Sequence, residues 1–205
     1  MNDNIYGPAM WVIEAIRTSL KGEGAADVKA RLAVQDLSPT AAAEPGPRRL
    51  AATRYFAECV ATSMFLAPEV AAALAEIEEF LHWQQNPNYS DAVMGEGYMD
   101  NYAYAEIIGP NGFFPGEDFL LGLLLLGPHR LYRDHHHPAP ELYWLLTGPS
   151  DWRKEQSEFR SRAAGETIWH PPRMSHATRT RESPLLAVYA WTRDTGAPAR
   201  LVEEA

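Results

Sequence analysis

The stretch Asp134-His135-His136-His137-Pro138-Ala139-Pro140-Glu141-Leu142-Tyr143-Trp144 decides the reading of this chain. Three consecutive histidines ahead of a glutamate supply imidazole and carboxylate, the common ligand set of first-row transition metals. Side chains alternate faces along extended backbone, so 135, 137, 141 and 143 share one face and 136, 142 and 144 the other. Pro138 and Pro140 interrupt the run and imply an edge or a bulge within it. A fourth ligand has to come from another strand. His176 is the better candidate, after Gly165-Glu166-Thr167-Ile168-Trp169-His170-Pro171-Pro172-Arg173-Met174-Ser175, and His170 is its rival. Asp134 and His136 are candidates to orient a ligand imidazole. Arg173 reads either as a steering charge or as a surface residue.

Around this stretch the pattern is β. Strands are predicted over 103–108, 117–126, 130–137, 140–147, 157–163, 166–170, 174–180 and 185–193, with Gly and Pro between them. Short strands at this spacing argue for a sandwich or barrel. In the last of them Ala187, Tyr189 and Trp191 alternate onto one face. Trp144 and Trp169 read as core. Residues 84–102 are polar and turn-rich, yet hold Tyr89, Tyr98 and Tyr102, which suits either a lid or a self-anchoring loop.

The first 84 or so residues read differently. Trp11, Ile13, Ile16 and Leu20 recur at helical spacing over 9–21. Residues 48–65 and 68–83 read as two helices joined at Ala67-Pro68, with Pro68 near the first helical position. Val70, Leu74, Ile77 and Leu81 mark one side of the second. Ser38 to Pro47 reads as a loop. This region is expected to cover the main domain or to form a homodimer contact.

Composition narrows the function classes. At about 150 residues per domain, 205 residues fit one domain plus an extension. The 46% apolar content is ordinary for a globular chain. A net charge of −9 with no large basic patch argues against nucleic acid as a partner. The single cysteine, Cys59, excludes a disulfide framework or a cysteine-based zinc site within the chain, and reads as buried packing. The opening residues lack signal-peptide character. The most apolar run, Phe119 to Gly127, is far shorter than the ~20 residues a membrane span needs. The expectation is a cytoplasmic protein with no membrane partner.

Two motifs add a resemblance. His135-x-His137-x3-Glu141-x6-Gly148 resembles the first signature of the cupin superfamily, and Gly165-x5-Pro171-x4-His176 the second. Gly127 sits two residues further from the histidine pair than is usual, and Arg173 replaces an internal glycine. The resemblance implies a mainly β cupin double-stranded β-helix, or jelly-roll barrel, over 85–205, with an α-helical N-terminal extension over 1–84. It implies metal ligands His135, His137, Glu141 and His176.

Within the superfamily the chain resembles the cupin-type dimethylsulfoniopropionate (DMSP) lyases. The features that carry this are Tyr143 two residues after Glu141 in Glu-Leu-Tyr-Trp, the segment Gly97-Tyr98-Met99-Asp100-Asn101-Tyr102, and the helical extension. The resemblance implies a β-elimination that yields dimethyl sulfide and acrylate. The general base would be Tyr143, its phenolate favoured by a nearby cation. The cofactor would be one divalent transition metal ion, Fe(II), Zn, Mn, Ni or Co, whose identity the ligand set does not specify. The sulfonium end of the substrate calls for aromatic faces, and Tyr132, Trp191, Tyr189, Tyr102 and Tyr104 are the candidates. The same four ligands also suit a cupin Fe(II) dioxygenase acting on a small organic acid or thiol. A non-enzymatic cupin that binds a small carboxylate or sugar is the third reading.

Overall fold

The computed structural model describes residues 5–38 and 46–202. Most of the loop expected over 38–47 lies outside the described residues.

Helices occupy the first part of the chain. α1 spans Tyr6–Ser19 and buries Ala9, Val12, Ile13 and Ile16. Trp11, expected on the buried stripe, is 40% exposed, and Val12 takes the inward position. α2, Ala25–Leu32, was not expected. It starts at Gly24, whose φ is +76° and whose missing Cβ would lie 2.4 Å from the Trp169 ring, so only glycine lets this turn seat there. The helix expected over 48–65 is a 3-10 turn at Ala51–Tyr55 followed by α3, Phe56–Ser63. α4, Pro68–Ile77, begins with Pro68 at its first turn, where the fixed proline φ suits a helix start. Its expected continuation stops short, and Trp83–Gln84 form strand β1 instead. α5, Asp91–Met94, is a single turn in the tyrosine-rich segment.

The strands form two antiparallel sheets. They are β2 (Tyr102–Ile108), β3 (Leu120–Leu126), β4 (Leu131–His136), β5 (Glu141–Leu145), β6 (Ser150–Lys154), β7 (Arg160–Arg162), β8 (Thr167–His170), β9 (His176–Thr180), β10 (Leu185–Trp191) and β11 (Arg200–Leu201). One sheet runs β1-β2-β3-β10-β5-β8 and the other β11-β4-β9-β6-β7. From β3 onward the chain crosses repeatedly between the two sheets. That is the mainly β, cupin-like double-stranded β-helix, with a helical N-terminal part. β6 was missed because Ser-Asp-Trp-Arg-Lys shows no apolar alternation; Asp151 is buried and held by Arg179 and Arg181.

The six-stranded sheet is covered on both faces, so β3 and β10 read as continuous apolar runs. Leu121, Leu123, Leu125, Leu142, Val188 and Ala190 pack in one core with the helices. Leu124, Tyr143, Leu145, Tyr189 and Trp191 face the other way, toward the second sheet. Cys59 sits in the helical core, where burial pushes its thiol up to about 12; it is packing.

Candidate functional site

Two sheets contribute to one interior. The chain leaves β4 after His136 and enters β5 at Glu141, so the two prolines lie in the crossover rather than in a strand. His135 therefore stands on one sheet and Glu141 and Tyr143 on the other, and all three face inward. Register adds the rest. His135 lies opposite His176, and Glu141 lies between His170 and Trp191.

His137, Glu141 and His176 offer ligand atoms that all lie within 4.8 Å of one another, and all three residues are buried. Glu141 Oε2 is 3.0 Å from His137 Nε2 and 3.1 Å from His176 Nε2. His135 stands beside them, its ring 4.2 Å from that of His176. His170 stacks 3.9 Å from His176, with Nδ1 3.8 Å from Glu141 Oε2.

The imidazoles are oriented by backbone. Nδ1 of His135 lies 2.8 Å from the Arg133 carbonyl, that of His137 2.9 Å from Ala139, and that of His176 3.0 Å from Met174. A carbonyl oxygen only accepts, so Nδ1 carries the proton in each and Nε2 presents a lone pair. Among the described residues, His176 Nε2 is buried without a hydrogen-bond partner. The Nε2 atoms of His137 and His176 beside the buried Glu141 carboxylate fit a divalent cation, and His135 adjoins this group without belonging to it. Among the described residues, neither ring nitrogen of His170 has a hydrogen-bond partner.

Charge agrees with this. Burial, with His176 alongside, holds the His135 imidazole well below its ordinary value, so it is neutral and able to coordinate. Trp191 Nε1 donates to Glu141 Oε1 at 2.7 Å, and its ring stacks 4.2 Å from His137. Burial, reinforced by the Glu141 charge, pushes the Tyr143 phenol well above its ordinary range.

A cavity of about 550 Å³ opens onto this cluster. Glu141, Tyr143 and all five aromatic candidates, Tyr102, Tyr104, Tyr132, Tyr189 and Trp191, are on its wall. Tyr132 stacks 3.9 Å from His135, which links the aromatic wall to the histidines. The segment before β2 is anchored rather than free. Tyr98 is buried and stacks 5.1 Å from Tyr102, and the Tyr89 and Tyr132 hydroxyls lie 3.2 Å apart.

Two expectations are corrected. Asp134 does not orient an imidazole; its carboxylate is held by Arg153. His136 lies on the opposite face of β4 from His135, beside Arg200 of β11. Of the two readings of Arg173, its exposure favours the surface one. Sequence reasoning also passed over Asn86 and Glu106, which line the cavity. Glu106 carried one signal, its same-face spacing from Tyr102 and Tyr104.

A double-stranded β-helix with an inward-facing histidine and glutamate cluster defines a cupin-like protein with a candidate metal centre. Residues 25–187, well over half the chain, match the dimethylsulfoniopropionate lyase family. The chain belongs to that family. It is 30% identical over 106 residues to the dimethylsulfoniopropionate lyase DddQ of Ruegeria pomeroyi, covering 52% of this chain and 53% of that protein. It is 30% identical over 124 residues to the putative dimethylsulfoniopropionate lyase DddL of Cereibacter sphaeroides, covering 60% of this chain and 50% of that protein. The matches thus span about half the length of these curated relatives. The crystal structure of DMSP lyase DddQ from Ruegeria pomeroyi superposes with a TM-score of 0.75 at 21% identity, over 98% of this chain and 97% of that one. At that identity the likeness shows the shared fold. Among the described residues no helix is long and apolar enough to cross a membrane.

Proposed function

We propose that this protein is a metal-dependent DMSP lyase that cleaves dimethylsulfoniopropionate by β-elimination. One observation carries the reading: Glu141 and Tyr143 share the inward face of β5, at the wall of a cavity otherwise lined largely by aromatic and apolar side chains. Family membership supports the substrate, and the cavity chemistry suits it.

His135, His137, Glu141 and His176 are the ligands in this reading. His135 is preferred to His170 because its Nδ1 is pinned by a carbonyl, as in His137 and His176, whereas the His170 ring has no such anchor. These residues would hold a divalent cation, which when bound would supply positive charge to draw electron density from the substrate carboxylate and favour the ionised form of Tyr143.

Tyr143 then removes the proton next to the carboxylate. The electron pair of that C–H bond forms the new double bond, and the C–S bond breaks with its pair leaving on sulfur. The products are neutral dimethyl sulfide and acrylate, and the proton stays on Tyr143. A neutral thioether leaves readily, so no strong general acid is required. Tyr132, Tyr189, Trp191, Tyr102 and Tyr104 present ring surface to the sulfonium, worth ~0.5–2 kcal/mol per contact. Leu120 and Leu124 line the same cavity and keep water scarce.

The test is headspace gas chromatography on chelator-stripped protein reloaded with Fe(II), Mn, Co, Ni or Zn. Metal-dependent dimethyl sulfide with matching acrylate and no oxygen uptake is expected. Absence of dimethyl sulfide with every metal would reject the substrate. Strict dependence on Fe(II) and oxygen would turn the reading to a dioxygenase.

A further inference from the structure

Glu106 is a buried carboxylate for which the reaction just described has no use. It lies on β2 two residues after Tyr104 and four after Tyr102, so the three share a face, and all three line the cavity. Its strand neighbours continue the geometry. Glu106 pairs with Gly122, Gly122 with Tyr189, and Tyr189 with Tyr143. One cross-sheet row therefore joins Glu106 to the proposed base. Three strand spacings of about 4.8 Å put the row's ends roughly 14 Å apart across the sheet. Gly122 lets the Tyr189 ring close over the middle of the row: a Cβ there would lie 2.6 Å from that ring.

The surroundings of Glu106 are short of positive charge. Its Oε2 accepts the Asn111 backbone N–H at 2.7 Å. Among the described residues it makes no hydrogen bond or ion pair with a lysine or arginine, and it is only 6% exposed. Burial raises its carboxyl, against hydrogen bonds from the Asn111 backbone and side chain and, last among these influences, His82. Tyr104 sits between Tyr102 and Tyr189, at ring separations of 6.4 Å and 6.5 Å, so the carboxylate borders an aromatic enclosure. A buried carboxylate is costly unless a partner supplies opposite charge. An onium group fits this setting. Its charge is spread over methyl groups that donate no conventional hydrogen bond, so ring faces and an unpaired carboxylate are what recognise it.

We propose that Glu106 is the counter-ion for the cationic end of the substrate and determines specificity for a carboxylate–onium zwitterion over neutral acids of the same shape. This rests on the reading of the substrate as a small zwitterion whose carboxylate is held at the His137–Glu141–His176 cluster.

The experiment compares two unreactive ligands on metal-loaded protein by isothermal titration calorimetry. One is the trimethylammonium analogue of the substrate, whose amine leaves far less readily than a thioether. The other is its neutral tert-butyl isostere, with carbon in place of nitrogen. The unaltered protein should prefer the ammonium ligand by about tenfold or more. Glu106→Gln keeps an amide oxygen for the Asn111 N–H but removes the charge, and should bring the two affinities within about twofold to threefold. Glu106→Asp keeps the charge and should keep a preference for the ammonium ligand. It provides the same comparison if the glutamine variant does not fold. An unchanged preference in Glu106→Gln, or equal loss in both variants, would overturn the proposal. Dimethyl sulfide release by the unaltered protein separates the two readings. Release with a preference indifferent to Glu106 rejects the counter-ion alone. No release, with a preference that depends on Glu106, rejects the reaction and leaves the cation site standing.

Discussion

The Trp191 indole donates to Glu141 Oε1 at 2.7 Å while its ring stacks on His137, so one side chain orients two members of the candidate metal cluster. Groups that fix a ligand's orientation typically contribute 10–100-fold to metal affinity. Trp191→Phe keeps a ring but loses the donor. Metal affinity should fall by about that factor in a competition titration with a chromophoric chelator. A lower melting temperature with unchanged affinity would reduce Trp191 to packing.

Tyr143→Phe should separate chemistry from architecture. Its ring lies 4.9 Å from Trp152, a contact that phenylalanine can preserve. Metal content should stay unchanged, and turnover of DMSP should drop by roughly 100- to 10,000-fold, the usual range for a lost general base. Near-native turnover would exclude Tyr143 as the base.

Metal analysis of single variants should divide the histidines. His135→Ala and His137→Ala should lose bound metal, and His170→Ala should keep it. Metal retained in His135→Ala but lost from His170→Ala would make His170 the fourth ligand, since both rings adjoin His176.

Gly122→Ala should damage stability and substrate binding together. Its Cβ would meet the Ala105 carbonyl at 2.4 Å, backbone that cannot turn aside, and the Tyr189 ring at 2.6 Å. Overpacking of this kind costs about 1–3 kcal/mol. A lowered melting temperature with a raised KM is expected. An unshifted KM would mean that Tyr189 does not contact the substrate.

Asp151 gives a pH prediction. Its hydrogen bond with Arg181, followed by that with Arg179, holds its carboxyl below the ordinary range against the opposing effect of burial. A depressed native value means that the unfolded chain takes up the proton first as pH falls. The stabilisation is therefore complete above the unfolded value of about 4 and fades as pH drops through the native one. Asp151→Asn should lower the melting temperature by a few degrees, about 2–4 °C, at pH near 7. The difference from the unaltered protein should shrink steadily below pH of about 4. A difference that persists undiminished in acid would show that charge is not what Asp151 contributes.

Much of the site was legible because imidazoles and a carboxylate are scarce residues at constrained spacing. The parity from His135 to Tyr143 held for a reason other than a single continuous strand. The crossover at 137–140 carries the chain between sheets whose inner faces meet. Tyr189 and Trp191 were legible through alternation in β10, and Tyr132 through its place just before the histidines. Glu106 was overlooked because its partners, Gly122 and Tyr189, become neighbours only through sheet register. β6 was overlooked for the opposite reason. Its polar residues are satisfied by arginines some thirty positions away, so no apolar period marks it. α2 is short, and its start depends on a glycine seated against Trp169, a contact that no local pattern announces.

The two-sided burial of the six-stranded sheet divides its sequence into two interleaved alphabets. On β5, Glu141 and Tyr143 face the cavity while Leu142 and Trp144 pack with the helices; on β10, Tyr189 and Trp191 alternate in the same way with Val188 and Ala190. Chemistry and cohesion thus occupy adjacent letters. A one-residue insertion in either strand would exchange the two alphabets and forfeit both.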